Sequence, residues 1–200
     1  FKALEKAMIM SAKNIGGFND TDSVLVSCDV SGSMGTNCLG QDISCMKMGL
    51  LMGTVLAQGL NFCDFNLFAT ETRMVQNLDS GVVLENIEKL QNIGLGGSTY
   101  GYKVLELANK LNKKYDKIVM FTDCELYGED TLKRQWQMYK EKYPEAKLII
   151  VDLAGNGTSP VDLKKNGAYM ISGWSDRIFD SIEIIENSKN MLKYIDDEEI

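Results

Sequence analysis

Short apolar runs alternate with longer amphipathic segments along the whole chain. The short runs predict strands, and the segments with apolar residues three and four positions apart predict helices. The predicted strands are SVLVSC (23–28), NFCDFNLFA (61–69), TRMVQN (72–77), KIVMFTD (117–123), KLIIVDL (147–153) and AYMIS (168–172). The predicted helices cover 1–15, 41–60, 82–93, 99–115, 129–143 and 175–192.

This alternation predicts an α/β fold of three layers. Strands that alternate with helices form a mostly parallel sheet with helices on both faces, and 72–77 is short enough to be an antiparallel edge strand. We therefore expect a Rossmann-like, six-stranded domain over 1–200, with a leading helix at 1–15 and a frayed acidic tail at 195–200. The chain begins at Phe1 rather than Met, so we also expect an N-terminal region upstream in the native protein.

Charge and composition narrow the function classes. The 200 residues are 44% hydrophobic and 24% charged, as in an ordinary globular domain. The net charge of -7 argues against a surface that grips nucleic acid directly. No targeting or membrane-spanning segment is visible, and we expect a cytoplasmic protein.

The chain contains no histidine, which excludes several chemistries at once. It excludes a Ser-His-Asp triad, a Cys-His pair and any metal ligand of the imidazole type. The 5 cysteines include no C-x-x-C pair, which favours reduced thiols over a zinc cage.

Polar side chains follow two of the predicted strands. SVLVSC continues into Asp29, Ser31 and Ser33, and KIVMFT continues into Asp123. The loop GLGGST, ahead of a predicted helix, adds a pair of hydroxyls at 98–99. In parallel sheets ligands bind at the carboxyl ends of strands, so we expect these groups to share one site.

Three chemistries compete for such a site. A phosphate-binding loop would need a Lys before its Ser or Thr, and neither glycine-rich loop has one. A hydrolase nucleophile would need the motif G-x-S-x-G and a base. If Ser33 were that nucleophile, the first glycine of the motif would be replaced by Ser31, and no histidine is present to act as the base. A hard cation fits best, because Mg²⁺ prefers carboxylate, hydroxyl and water oxygens.

The motif D-x-S-x-S, followed by G-G-S-T and then by a strand ending in T-D, resembles a known site. It is similar to the metal-ion-dependent adhesion site (MIDAS) of von Willebrand factor A (vWA) domains. The phrases FTDCE, VDLAGNGTSP and ISGWSDRIFDSI, together with the leading helix, resemble the C-terminal domain of Ro-type (TROVE) ribonucleoproteins. That branch pairs its vWA domain with a helical-repeat ring that binds small structured RNAs, and no such ring is encoded here.

The resemblance implies a set of metal ligands. These are Asp29, Ser31, Ser33, Thr99 and Asp123, and Mg²⁺ is the expected ion, with Mn²⁺ or Ca²⁺ as alternatives. Ser98 is an alternate for Thr99, which we prefer because the helix TYGYKVLELA continues from it. Glu125 lies outside the core set, and we expect it to face solvent or to cap the next helix.

The expected function is Mg²⁺-dependent binding of an acidic group on a protein partner, in a Ro-like ribonucleoprotein that contacts RNA only through the absent ring. Neutral hydroxyl ligands leave the ion electrophilic towards an incoming carboxylate. Two alternatives stay open. One is a metal-assisted phosphoesterase using the same ion, although no general acid is evident. The other is a structural domain with a vestigial site.

Overall fold

The computed structural model describes residues 16–79, 82–157, 159–160, 166–173, 178–179 and 181–184. The strands of this part are β1 (Ser23–Asp29), β2 (Phe62–Phe68), β3 (Thr72–Val75), β4 (Lys117–Thr122), β5 (Lys147–Asp152) and β6 (Ala168–Ser172). The helices are α1 (Cys45–Gly59), α2 (Val83–Gln91), α3 (Tyr102–Leu111) and α4 (Glu129–Lys142), with a short 3-10 helix at Ser33–Gly35.

The strands form one sheet in the order β3-β2-β1-β4-β5-β6. Only β3 is antiparallel to its neighbour; the other described strands run parallel. Along the chain, β2 and β3 are added on one side of β1, and β4, β5 and β6 are then added on the other side. The direction of building therefore reverses between β1 and β4, where the register pairs Cys28 with Phe121.

Side chains of successive strand residues enter two separate cores, one on each face of the sheet. Val26 and Phe121 belong to the core covered by α1 and α2. Leu25 and Met120 belong to the core covered by α3 and α4, in which Trp136 is buried. The period of two along each strand thus builds three layers and confirms the α/β prediction, including the antiparallel edge strand.

Two glycines bring α1 unusually close to the sheet. A Cβ on Gly53 would lie 2.4 Å from the Sγ atom of Cys28, and one on Gly49 would lie 3.1 Å from Leu153 Cδ1. Larger residues would push the helix away, so the glycines hold α1 against the carboxyl half of β1.

Two predicted helix starts are wrong. The helix predicted from Gln41 begins at Cys45, because Ser44 is extended and its hydroxyl accepts from the Lys47 amide at 3.3 Å, which caps the first turn. The helix predicted from Thr99 begins at Tyr102. The amide of Tyr100 donates to the Ala69 carbonyl instead of joining a helical ladder.

Some predictions concern segments outside the described residues. These are the leading helix at 1–15 and the tail at 195–200. Of the predicted closing helix at 175–192, the described residues 178–179 and 181–184 are helical. In the described part of the chain, no helix is both long and apolar enough to cross a bilayer.

Candidate metal-binding site

The structure brings three of the predicted polar segments together at the carboxyl edge of the sheet. The loops after β1 and β4 are neighbours because those strands pair directly. The loop before α3 joins them through two backbone contacts: Gly32 donates to the Gly97 carbonyl at 3.2 Å, and Tyr127 donates to the Thr99 carbonyl at 2.9 Å. The site therefore lies where the order of strand addition reverses.

Asp29 is the last residue of β1 and is completely buried. Its Oδ1 atom accepts from the Ser31 amide at 2.9 Å, and its Oδ2 atom accepts from the Thr122 hydroxyl at 2.7 Å. Each carboxylate oxygen is thus fixed by a donor from a different strand end. The carboxyl group is held in one orientation before any ligand arrives.

The two serines of the D-x-S-x-S motif lie side by side. Ser31 is completely buried and its Oγ atom is 3.2 Å from the Oγ atom of Ser33, which is half-buried at the start of the 3-10 helix. Two hydroxyls at this separation present oxygen lone pairs to the same small volume.

Asp123 follows β4 directly and has an oxygen without a partner. Its Oδ1 atom accepts from the Glu125 amide at 3.1 Å. Its Oδ2 atom is buried and, among the described residues, has no hydrogen-bond donor. A buried carboxylate oxygen without a donor carries a desolvation cost that a bound cation would remove.

The two candidate hydroxyl ligands in the loop before α3, Thr99 and Ser98, have different surroundings. Thr99 is 2% exposed, and its carbonyl is tied to the loop after β4. Ser98 is half-buried, and its amide and carbonyl both contact the Thr70 hydroxyl, at 3.0 and 3.3 Å. These contacts involve the backbone of both residues, so the preference for Thr99 over Ser98 stays a prediction.

Glu125 is exposed, as expected, and does not cap α4, whose N-cap position is Gly128 with no capping side chain. Cys124, between the two acidic residues, has a φ of 62° in the left-handed region. A non-glycine residue in this region is strained, and such strain is concentrated at functional sites.

Two supporting side chains were not identified from the sequence. Thr122 holds Asp29, and it also accepts from the Cys124 amide at 3.1 Å. Asn156, in the loop after β5, donates from Nδ2 to the Asp123 carbonyl at 2.8 Å. A Thr at a strand end next to Asp was a visible signal, whereas nothing in the sequence indicated Asn156.

The site is electrostatically unfavourable for the ionised form of Asp29. Burial raises the pKa of Asp29 from 3.8 to about 7, the hydrogen bonds from Ser31 and Thr122 oppose this rise, and the nearby charge of Asp123 adds to it. Two buried carboxylates with no basic partner in the described part of the site are the arrangement that a cation would stabilise.

The donor set fits a hard cation and not a soft one. The described residues contain no group of three or more His, Cys, Asp or Glu that could hold a metal. The site instead combines two carboxylates with neutral hydroxyls. Oxygen donors of mixed charge suit Mg²⁺ or Mn²⁺, which complete their coordination with water.

A six-stranded sheet in this order, with polar loops after β1 and β4, defines the class of protein as a vWA-like α/β domain. The family described as the Ro60 vWA domain matches residues 23–186. The chain belongs to this family, which confirms the resemblance seen in the motifs.

Solved structures show the same fold at low sequence identity. The Ro (RSR) protein of Deinococcus radiodurans superposes with a TM-score of 0.74 at 20% identity, over 94% of this chain and 38% of that protein. The SpRpn10 VWA domain gives 0.50 at 12% identity, over 84% and 94% of the two chains. The manganese-loaded TRAP protein of Plasmodium vivax gives 0.50 at 14% identity, over 83% and 72%. This chain therefore spans 38% of the length of the Deinococcus Ro protein.

Proposed function

We propose that the domain binds an acidic group on a protein partner through a divalent cation, with Mg²⁺ as the physiological ion. Asp29, Ser31, Ser33, Thr99 and Asp123 would hold the ion directly or through water. The manganese-loaded state of the structurally similar TRAP protein supports the idea that this fold accommodates such an ion.

The observation that carries this proposal is the orphaned Oδ2 atom of Asp123. It is buried beside a second buried carboxylate, and no described donor reaches it. A purely structural loop would gain stability by pairing or removing this charge. A cation bound to this oxygen atom would compensate the buried charge.

The two carboxylates balance the charge of a divalent cation and the hydroxyls add no further negative charge, so the ion stays electrophilic. When bound, it would supply an electrophilic position for an incoming carboxylate oxygen. Asp29 is held in place by Ser31 and Thr122, and Asp123 by Glu125 and Asn156, so the ligands would need little rearrangement.

We infer a binding role rather than catalysis because the described site offers no accessible general acid: Asp29, whose pKa is raised to about 7, is completely buried and both of its oxygens accept hydrogen bonds. The buried thiol of the site, at Cys124, has a pKa raised by burial and by the charges of Asp152 and Asp123, which makes it a poor nucleophile. In a Ro-like ribonucleoprotein, RNA contacts would come from another part of the native protein.

The test is a selection of peptides from a random displayed library on the purified chain. Selection in Mg²⁺ should enrich peptides that contain Asp or Glu, and chelator should release them. Asp29→Ala should abolish this enrichment, whereas Asp20→Ala, a change of an exposed carboxylate in the turn before β1, should not.

Two outcomes would contradict the proposal. One is a lack of Mg²⁺-dependent enrichment of acidic peptides. The other is Mg²⁺- or Mn²⁺-dependent turnover of a generic phosphoester that disappears in Asp29→Ala, because that result would assign the site to a phosphoesterase.

A further inference from the structure

Three tyrosines form a cluster beside the candidate metal site. The rings of Tyr100 and Tyr102 are 5.6 Å apart, and the rings of Tyr100 and Tyr127 are 6.3 Å apart in an edge-to-face arrangement. Tyr127 is 63% exposed. Tyr100 and Tyr102 are half-buried, so the ring of Tyr127 is the part of the cluster that is open to solvent.

The backbone ties this cluster to the proposed metal ligands. Tyr100 directly follows Thr99, and the amide of Tyr127 donates to the Thr99 carbonyl at 2.9 Å. Tyr102 packs against Gly128, where an added Cβ would lie 3.0 Å from the ring. The cluster is therefore built on the same two loops that carry Thr99 and Asp123.

The segment that carries Tyr127 is acidic. The segment 125–130 carries three carboxylates and no basic residue: Glu125 and Asp130 are exposed, and Glu129 is half-buried. Two lysines near this segment are already engaged: Lys103 donates from Nζ to the Thr70 carbonyl and lies 5.5 Å from the centre of the Tyr100 ring, and Lys133 Nζ lies 4.0 Å from Asp130 Oδ1. The open surface at Tyr127 and Glu125 is aromatic and acidic.

We propose that this surface binds an arginine of the partner, next to the acidic residue that reaches the ion. A guanidinium stacks on an aromatic face and pairs with a carboxylate in the same geometry, which a lysine ammonium does less well. The partner segment would thus combine an acidic residue with an arginine a few positions away. This inference rests on the proposed function and names the partner chemistry of the same site.

The experiment repeats the peptide selection in Mg²⁺ with the wild-type chain, Tyr127→Ala, Tyr127→Phe and Phe62→Ala. Phe62 is a matched control, since it is 60% exposed and lies at the amino end of β2, away from the site. The wild type, Tyr127→Phe and Phe62→Ala should enrich arginine near the acidic residue, and Tyr127→Ala should not. For one enriched peptide, Tyr127→Ala should weaken binding about two- to fivefold, the range of an exposed cation–π contact.

The outcomes separate this inference from the proposed function. Acidic peptides enriched in Mg²⁺ without arginine would overturn the arginine site alone. Arginine enrichment that persists unchanged in Tyr127→Ala would also overturn it. No Mg²⁺-dependent enrichment of acidic residues would overturn both proposals together.

Discussion

Replacing Asp29 with Asn should stabilise the metal-free domain while removing its response to Mg²⁺. The side chain keeps its shape, and its carbonyl oxygen can still accept from the Ser31 amide, as Asp29 Oδ1 does at 2.9 Å. The Thr122 hydroxyl, which now donates to Oδ2 at 2.7 Å, can rotate to accept from the new amide. The main change is the loss of one buried charge.

The expected stabilisation of the metal-free domain by Asp29→Asn follows from the pKa of Asp29, which is raised from 3.8 to about 7. At about 1.36 kcal/mol per pKa unit, the ionised group costs on the order of 4 kcal/mol at pH 8. A domain of this size gains roughly 2–4 °C in melting temperature per kcal/mol, which sets an upper limit of about 8–16 °C. We expect roughly half of that, because the neutral amide forms weaker hydrogen bonds than the carboxylate.

The assay is a thermal melt at pH 8 in chelator and in excess Mg²⁺. At about 100 times its dissociation constant, the ion adds about 2.7 kcal/mol to the stability of the wild type. That gain corresponds to roughly 5–11 °C. Asp29→Asn should show no such rise, whereas Asp20→Asn, which changes an exposed carboxylate, should respond like the wild type.

The reasoning fails if Asp29→Asn melts below the wild type in chelator. That result would mean that the carboxylate is a capping group whose hydrogen bonds outweigh its burial. Equal Mg²⁺ responses in the variant and the wild type would show that the ion binds elsewhere.

Three further predictions concern pH, a neutral ligand and RNA. In chelator, the stability of the wild type should fall between about pH 4 and 7 and then level off. The reason is that the folded-state pKa of Asp29 lies above its unfolded value, so the unfolded chain releases the proton first as the pH rises. Melts at several pH values should show this fall in the wild type and not in Asp29→Asn. Ser31→Ala should weaken the Mg²⁺ response in the same melts without any gain in chelator, because it removes a neutral oxygen that lies 3.2 Å from Ser33 Oγ; a variant stabilised in chelator would contradict this. The isolated chain should bind small structured RNA only at about 10⁻⁴–10⁻⁶ M at physiological salt, as non-specific contacts do, and an anisotropy titration giving nanomolar affinity would refute it.

Hydrophobic periodicity was sufficient to predict the strands, although not their order in the sheet. AYMIS coincides with β6, and KIVMFTD differs from β4 by one terminal residue. A central strand such as β4 is buried on both faces, so its apolar run is continuous and its end is marked by a polar residue. Helix starts were less visible because the turns before them contain enough apolar residues to extend the helical pattern.

The polar groups of the site could be predicted, but not the way in which they are held. Asp29 and Asp123 were recognisable because each follows an apolar strand. The contact of Thr122 with Asp29 joins residues 93 positions apart and depends on the pairing of β1 with β4. The contact of Asn156 with the Asp123 carbonyl depends on how the loop after β5 folds back over β4. Local pattern carries no information about such contacts.

A direct titration with Mn²⁺, followed by electron paramagnetic resonance, tests the central claim most directly. The account predicts one Mn²⁺ bound per chain, displaced by excess Mg²⁺, and lost in both Asp29→Asn and Asp123→Asn. Absence of bound Mn²⁺ in the folded wild type, or binding that survives in both variants, would contradict it.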